Sequence, residues 1–210
     1  MPIAPDARND FPPLETPRLE LSFGNSEDAA VLFPYVHGDE GRLVTDTLLW
    51  NGPDVVDDLT SFFGLHETGT FAEDGFHWLL RDRTGELTGK QGRAMGTIGL
   101  EPGEQQDECE IGYWLAPPYW GQGLMAEAIV AVSRLAFEAG YRTVEADVYV
   151  RNTRGQGLVE KLGFRQDKLI KNYVVKRGVP TDAYRYVVTE KDLAGAAGWQ
   201  AKNALQLPEQ

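Results

Sequence analysis

WGQGLMA, Trp120 to Ala126, sets two glycines one residue apart where a helical pattern begins. A helix start leaves backbone N–H groups without partners. It also carries about half a positive charge, so it attracts anions. Glycine lets a phosphate approach the backbone because no Cβ intervenes. The N–H groups of Gly121, Gln122, Gly123, Leu124 and Met125 are therefore expected to cradle a pyrophosphate; a plain strand-to-helix turn is the alternative. Gly121–Ala126 also fits the dinucleotide pattern G-x-G-x-x-A. That reading fails because APPYW separates it from the strand, and Glu145 and Asp147 lie inside the next strand, not at its end. A Walker loop would need Gly-Lys-Ser/Thr, which is absent.

Two other residue types invite chemistry. Glu110 is a carboxylate on the strand before the loop, a residue type that can move a proton. Cys109 adjoins it, but neighbours on a strand face opposite ways, so Cys109 is expected to be structural. His37, His66 and His77 have no ligand spacing, and no metal is expected.

These groups need elements to hold them. RLELSF (Arg18–Phe23) alternates like a strand, and Ser26 is a fair cap for a helix over SEDAAVLFPYV. A second helix is expected from near Pro53 through VVDDLTSFFGLHE. Phe76–Asp82, Ala94–Leu100 and CEIGYWLA read as a three-strand meander with polar turns. After Gly123, Met125, Ala128, Val132, Leu135 and Ala139 form one helical stripe, and Gly140 stops it. In Thr143–Val150 the residues Val144, Ala146, Val148 and Val150 alternate on one side. NTRGQGLVEKLGF holds a short helix ended by Gly163, and YVVKRGVPTDAYRYVV is a closing hairpin. Trp50, Phe62, Phe63 and Trp78 are expected in the core. The pattern predicts one α+β domain over residues 14–193, with a lead-in over 1–13 and a tail over 194–210.

Composition narrows the function. The chain has 210 residues, 42% hydrophobic and 25% charged, with one cysteine. A disulfide framework is excluded. No apolar run reaches the roughly 20 residues of a membrane span, and the N-terminus lacks a secretory pattern, so a cytoplasmic protein is expected. Residues 1–77 hold 15 acidic and 3 basic side chains, while 78–210 hold 17 of each. Such a field repels polyanions, so no nucleic-acid partner is expected.

EIGYWLAPPYWGQGLMAEA, followed by NTRGQGLVEKLGF, resembles the GNAT superfamily of acyl-CoA-dependent N-acetyltransferases, and within it the ribosomal-protein-alanine N-acetyltransferase branch. The resemblance implies a mixed, mostly antiparallel sheet of about six to seven strands flanked by about four helices. It implies a splay between the fourth and fifth strands, with acetyl-CoA as cosubstrate. Pantetheine would lie against Tyr113, Trp114 and Leu115. The pyrophosphate would sit on Trp120, Gly121, Gln122, Gly123, Leu124, Met125 and Ala126, and Asn152 would bond the pantetheine arm. Glu110 would be the base, facing the acceptor cavity through water. The pattern departs at Trp120 and Met125, where the family has Arg or Gln and a small residue. It departs again at Gly155 and Val159, where relatives place a serine or alanine and a tyrosine acid. The resemblance implies an amine acceptor, and the acidic first third suggests a cationic one: a protein N-terminus, a polyamine or an aminoglycoside-like amine. A homodimer is left open. A CoA-binding module without catalysis and an enzyme using another acyl-CoA, such as succinyl-CoA, are the alternatives.

Overall fold

The computed structural model describes residues 13–65 and 75–195. Most of the expected lead-in, most of the expected tail and His66 lie outside these residues. The strands are β1 (Leu14–Glu15), β2 (Leu19–Ser22), β3 (Phe76–Asp82), β4 (Ala94–Pro102), β5 (Glu108–Leu115), β6 (Thr143–Tyr149), β7 (Arg165–Lys176) and β8 (Val179–Thr189). The helices are α1 (Ser26–Leu32), α2 (Arg42–Thr45), α3 (Val56–Leu65), α4 (Leu124–Glu138), α5 (Thr153–Lys161) and α6 (Glu190–Gly195). One sheet takes the order β1-β2-β3-β4-β5-β6-β8-β7. The described residues thus hold eight strands and six helices, more than the sequence suggests. The additions are short or peripheral: two residues of β1, four of α2, and the α6 turn. β7 also starts at Arg165, well before Tyr173, because polar residues along an exposed edge show no apolar alternation.

Among the described residues only β5 and β6 run parallel, and the helix α4 makes the crossover that a parallel pair needs. α4 is buried on every side from Leu124 to Ser133, more completely than a single stripe predicts. Gly140, at φ 91, ends the helix as expected. Asn25, not Ser26, caps α1. Its side chain accepts from the N–H groups of Glu27 and Asp28, and Asp28 returns a bond to Asn25 N. Arg177 and Gly178, both at positive φ, make the two-residue turn between β7 and β8. Trp78 and Phe63 are core, whereas Trp50 and Phe62 are more than a third exposed. Val150 lies beyond the end of β6 and is exposed.

The pairing of β5 with β6 stops early. Glu108, Cys109 and Glu110 face Thr143, Val144 and Glu145; beyond Glu110 no register continues. On its other side β5 stays paired with β4 as far as Leu115. The sheet therefore forks between its fifth and sixth strands, the pair that the resemblance singles out. β1 shifts the count by one.

Candidate functional site

One side of the fork is made of backbone. Gly121 and Gly123 take φ 76 and 77, a left-handed conformation that other residues adopt at a cost. Gly123 is the N-cap of α4 and has no side chain to satisfy the first turn. Among the described residues no acceptor meets the N–H groups of Gly121 to Ala126. A Cβ on Gly121 would find nothing within 4 Å, so the space over the loop is open. The loop suits a diphosphate, with one change. Trp120 N already donates to Pro117 O, so Trp120 contributes no free amide. Its indole instead donates to Leu115 O at 2.6 Å, which occupies a carbonyl at the end of β5. The Arg154 guanidinium stacks on the Trp120 ring at 4.2 Å. A cation thus stands beside the loop although the loop's first residue is not basic.

The loop is braced from beneath by residues that the motif does not reveal. Arg18 donates to Gln122 O at 2.9 Å and forms an ion pair with Glu127 at 2.7 Å. Thr16 donates to the other oxygen of the buried Glu127 carboxylate. Glu127 therefore ties the first turn of α4 to the segment leading into β2 and also suits the helix dipole.

Across the fork, Asn152 caps α5, its Oδ1 accepting from Gly155 N at 3.0 Å. Its amide N–H groups remain for other partners. A Cβ on Gly155 would lie 2.7 Å from Asn152 Nδ2 and 2.9 Å from Val148 Cγ1, so close packing explains the glycine. Val159 is fully buried, so a polar side chain there would be placed in the core. Cys109 is buried on the face away from Glu110, and burial together with Glu145 pushes its thiol pKa up.

The other side of the fork is made of side chains. Directly paired residues share a face, which places Glu101, Glu110, Glu145, Asp147 and Arg185 together. Arg185 grips Asp147 with two bonds, Nε to Oδ1 at 2.9 Å and Nη2 to Oδ2 at 2.8 Å. It also reaches Glu145 at 2.8 Å, Glu104 at 2.9 Å and Glu110 at 3.4 Å. The Glu110 side chain is 25% exposed. Burial pushes its carboxyl up to about 7; the Asp147 charge adds to this, Arg185 opposes it, and Glu101 and Glu145 add to it. Tyr173 bonds Asp147 and stacks edge-on against Tyr149, and burial with the nearby carboxylates holds its hydroxyl protonated.

Next to Glu110 the floor is bare. Gly112 pairs with Gly99, and a Cβ on Gly112 would meet only Glu101 Oε1, at 4.0 Å. His77 lies over Gly99, beside Glu101 and Phe62. The segment after α2 closes this face at the hairpin end: Tyr149 donates to Leu48 O, Lys176 to Trp50 O, and Arg177 pairs with Asp46.

The acidity of this face does not come from the first third of the chain. There Asp28 is held by Arg81, Asp46 by Arg177 and Glu15 by Arg83, while Asp58 accepts from Asp54 and Val55 at the start of α3. The fold thus gives three of these carboxylates, Glu15, Asp28 and Asp46, cations from the rest of the chain. A separate acidic cluster arises from β4, β6 and the turn before β5.

No described helix is long and apolar enough to cross a membrane. Residues 18–165 match the family model described as an acetyltransferase (GNAT) domain. A Bacillus subtilis (strain 168) protein, Uncharacterized N-acetyltransferase YoaA, is 28% identical over 183 residues, covering 86% of this chain and 98% of that protein. The structure of a GCN5-related N-acetyltransferase from Brucella melitensis superposes with a TM-score of 0.76 at 17% identity, over 92% of this chain and 86% of that one. Mycobacterium smegmatis RimJ, in complex with CoA-disulfide, superposes with a TM-score of 0.71 at 19% identity, over 90% and 93%. The forked sheet, the open amides at the start of α4 and these matches lead to one conclusion: the chain belongs to the GNAT family and is an acetyl-CoA-dependent acetyltransferase.

Proposed function

We propose that the chain moves the acetyl group of acetyl-CoA to a positively charged primary amine, a protein N-terminus or a small cationic amine, by direct attack in a ternary complex. The observation that carries this reading is Glu110 at the point where β5 and β6 part, beside the bare floor at Gly112. The diphosphate rests on the amides from Gly121 to Ala126, with Arg154 as the neighbouring cation. Pantetheine follows the free edge of β5 past Tyr113, Trp114 and Leu115, and the Asn152 amide donates to its arm.

The chemistry needed is modest. An α-amine has a pKa of about 8, so removing its proton at pH 7 costs roughly 1.4 kcal/mol. A lysine at about 10.4 costs roughly 4.6 kcal/mol. A carboxylate that titrates near 7 is matched to the first task. The departing thiol, with a pKa of about 8.5, leaves as thiolate without a strong acid. The core position of Val159 is therefore no obstacle. A backbone N–H near Tyr113 polarises the thioester carbonyl.

The acyl group is best read as acetyl. A succinyl donor would need an unspent cation at the fork, and the Arg185 charge is already met by four carboxylates. Release of free thiol from acetyl-CoA over a panel of amines tests the proposal. Turnover of cationic amines ahead of neutral ones is expected; equal turnover of neutral and anionic amines contradicts it.

A further inference from the structure

Arg185 lies on β8, two strands away from β5, yet its guanidinium reaches Glu110, the last residue of β5 paired with β6. It bridges Glu110 to Asp147, the first position of β6 on this face beyond the pairing with β5. Only a planar fork with several donors can hold these groups at once. We propose that Arg185 is the positioning residue of the site. It braces the fork at its base, aims the Glu110 carboxylate along the opening, and supplies the positive charge that lets Glu110 act as a base among other carboxylates. This rests on the reading of Glu110 as the base.

The charges around Glu110 come from every neighbouring strand. β3 brings His77, 3.8 Å from Glu101. β4 brings Glu101, and the following turn brings Glu104, which Lys168 of β7 approaches to 3.6 Å. β5 itself adds Glu108, which acts on Glu145. β6 brings Glu145 and Asp147, β7 brings Tyr173, and β8 brings Arg185. Arg185 is the cation closest to Glu110 among the contacts described, and its side chain is 8% exposed. Burial strengthens its effect, because solvent screens a buried pair weakly. Removing it leaves several carboxylates facing one another, so Glu110 must hold its proton more tightly. Removing Asp147 does the reverse, since a repelling charge goes and Arg185 is freed toward Glu110.

The test uses the full chain labelled with carboxyl ¹³C glutamate, with the Glu110 signal assigned by its loss in Glu110→Gln. In Arg185→Gln the Glu110 midpoint is expected to rise by a unit or more, about a tenfold gain in proton affinity. In Asp147→Asn it is expected to fall. The acid limb of thiol release from acetyl-CoA should move with the midpoint in both variants, and Arg185→Lys should lie between Arg185→Gln and the unaltered chain. Opposite shifts cannot come from a shared loss of stability. If Arg185→Gln does not fold, Arg185→Lys and Asp147→Asn carry the same comparison. A Glu110 midpoint that stays put when Arg185 changes overturns the role of Arg185, even where Glu110→Gln is inactive. Full turnover by Glu110→Gln overturns the base, and the role of Arg185 falls with it.

Discussion

On the proposed cofactor side of the fork the available groups are backbone amides from one short stretch, Gly121 to Ala126. On the proposed acceptor side they are side chains from β4, β5, β6 and β8 and the turn between β4 and β5, gathered on one face. The difference teaches how each half tolerates change. An amide cradle depends on φ and on the absence of Cβ, so on the proposed reading it tolerates Trp120 and Met125 where the resemblance implies Arg or Gln and a small residue. A side-chain cluster depends on identity, because each charge sets the state of its neighbours.

The sharpest way to break this comparison is Glu110→Gln. Loss of a positioned base is expected to slow kcat by roughly 10²- to 10⁴-fold, while the affinity for CoA, read by calorimetry, stays within about threefold. A variant that binds CoA as poorly as it turns over would mean that the two sides are not separable.

The same substitution should reveal a cost in stability. Glu110 has its carboxyl raised from 4.5 to about 7 in the fold, so the folded state favours its protonated form. Its contribution is fully present below about 4.5 and is lost as pH rises through about 7. Glu110→Gln is therefore expected to be more stable than the unaltered chain at pH 8, by up to about 3 kcal/mol, and no more stable at pH 4.5. Denaturant melts at the two pH values check this. A variant destabilised equally at both would show that Glu110 is held by structure and not by charge.

The cofactor side is probed by Gly121→Ala, with Gly89→Ala as its match. Both glycines sit at φ 76 with nothing within 4 Å of a Cβ, so both pay the same backbone strain, about 1–2 kcal/mol. Gly89 lies in the turn between β3 and β4. Only Gly121→Ala should weaken CoA, by roughly tenfold to a hundredfold. Equal losses in the two variants would assign the effect to strain and remove the amide cradle from the argument.

This contrast also explains what could be read in advance. The loop, α4 and its Gly140 stop were legible because each is a local pattern: glycine spacing, helical period, a left-handed cap. The fork position followed from the family resemblance and is visible in the pairing. Glu110 was legible as a carboxylate next to the loop. Arg185 was not, because 75 residues separate it from Glu110 and only the order β6-β8-β7 brings them near. A signal did exist. In TDAYRYVV an arginine sits between Ala183 and Val187 on an alternating strand, a position that is costly to bury unless carboxylates wait there. The acidic first third shows the same limit: sequence shows where charges lie along the chain, not which partners the fold gives them.

The smallest expected effect concerns the acceptor. Glu101, Glu104, Glu110, Glu145 and Asp147 outnumber Arg185 and His77 on the face beside Gly112, so a cationic amine should be drawn in and a neutral one should not. Added salt screens partly exposed charges, with a Debye length near 30 Å at about 0.01 M and near 3 Å at about 1 M. Raising salt across that range should increase the KM of a cationic acceptor several-fold and leave that of a neutral amine of similar size nearly flat. CoA is a polyanion that meets the other side of the fork, so it must be held saturating for the comparison to report the acceptor alone. Parallel responses from the two amines would mean that the cluster serves only to set Glu110, and the acceptor would then be chosen by shape, at the exposed Trp50 and Phe62, and not by charge.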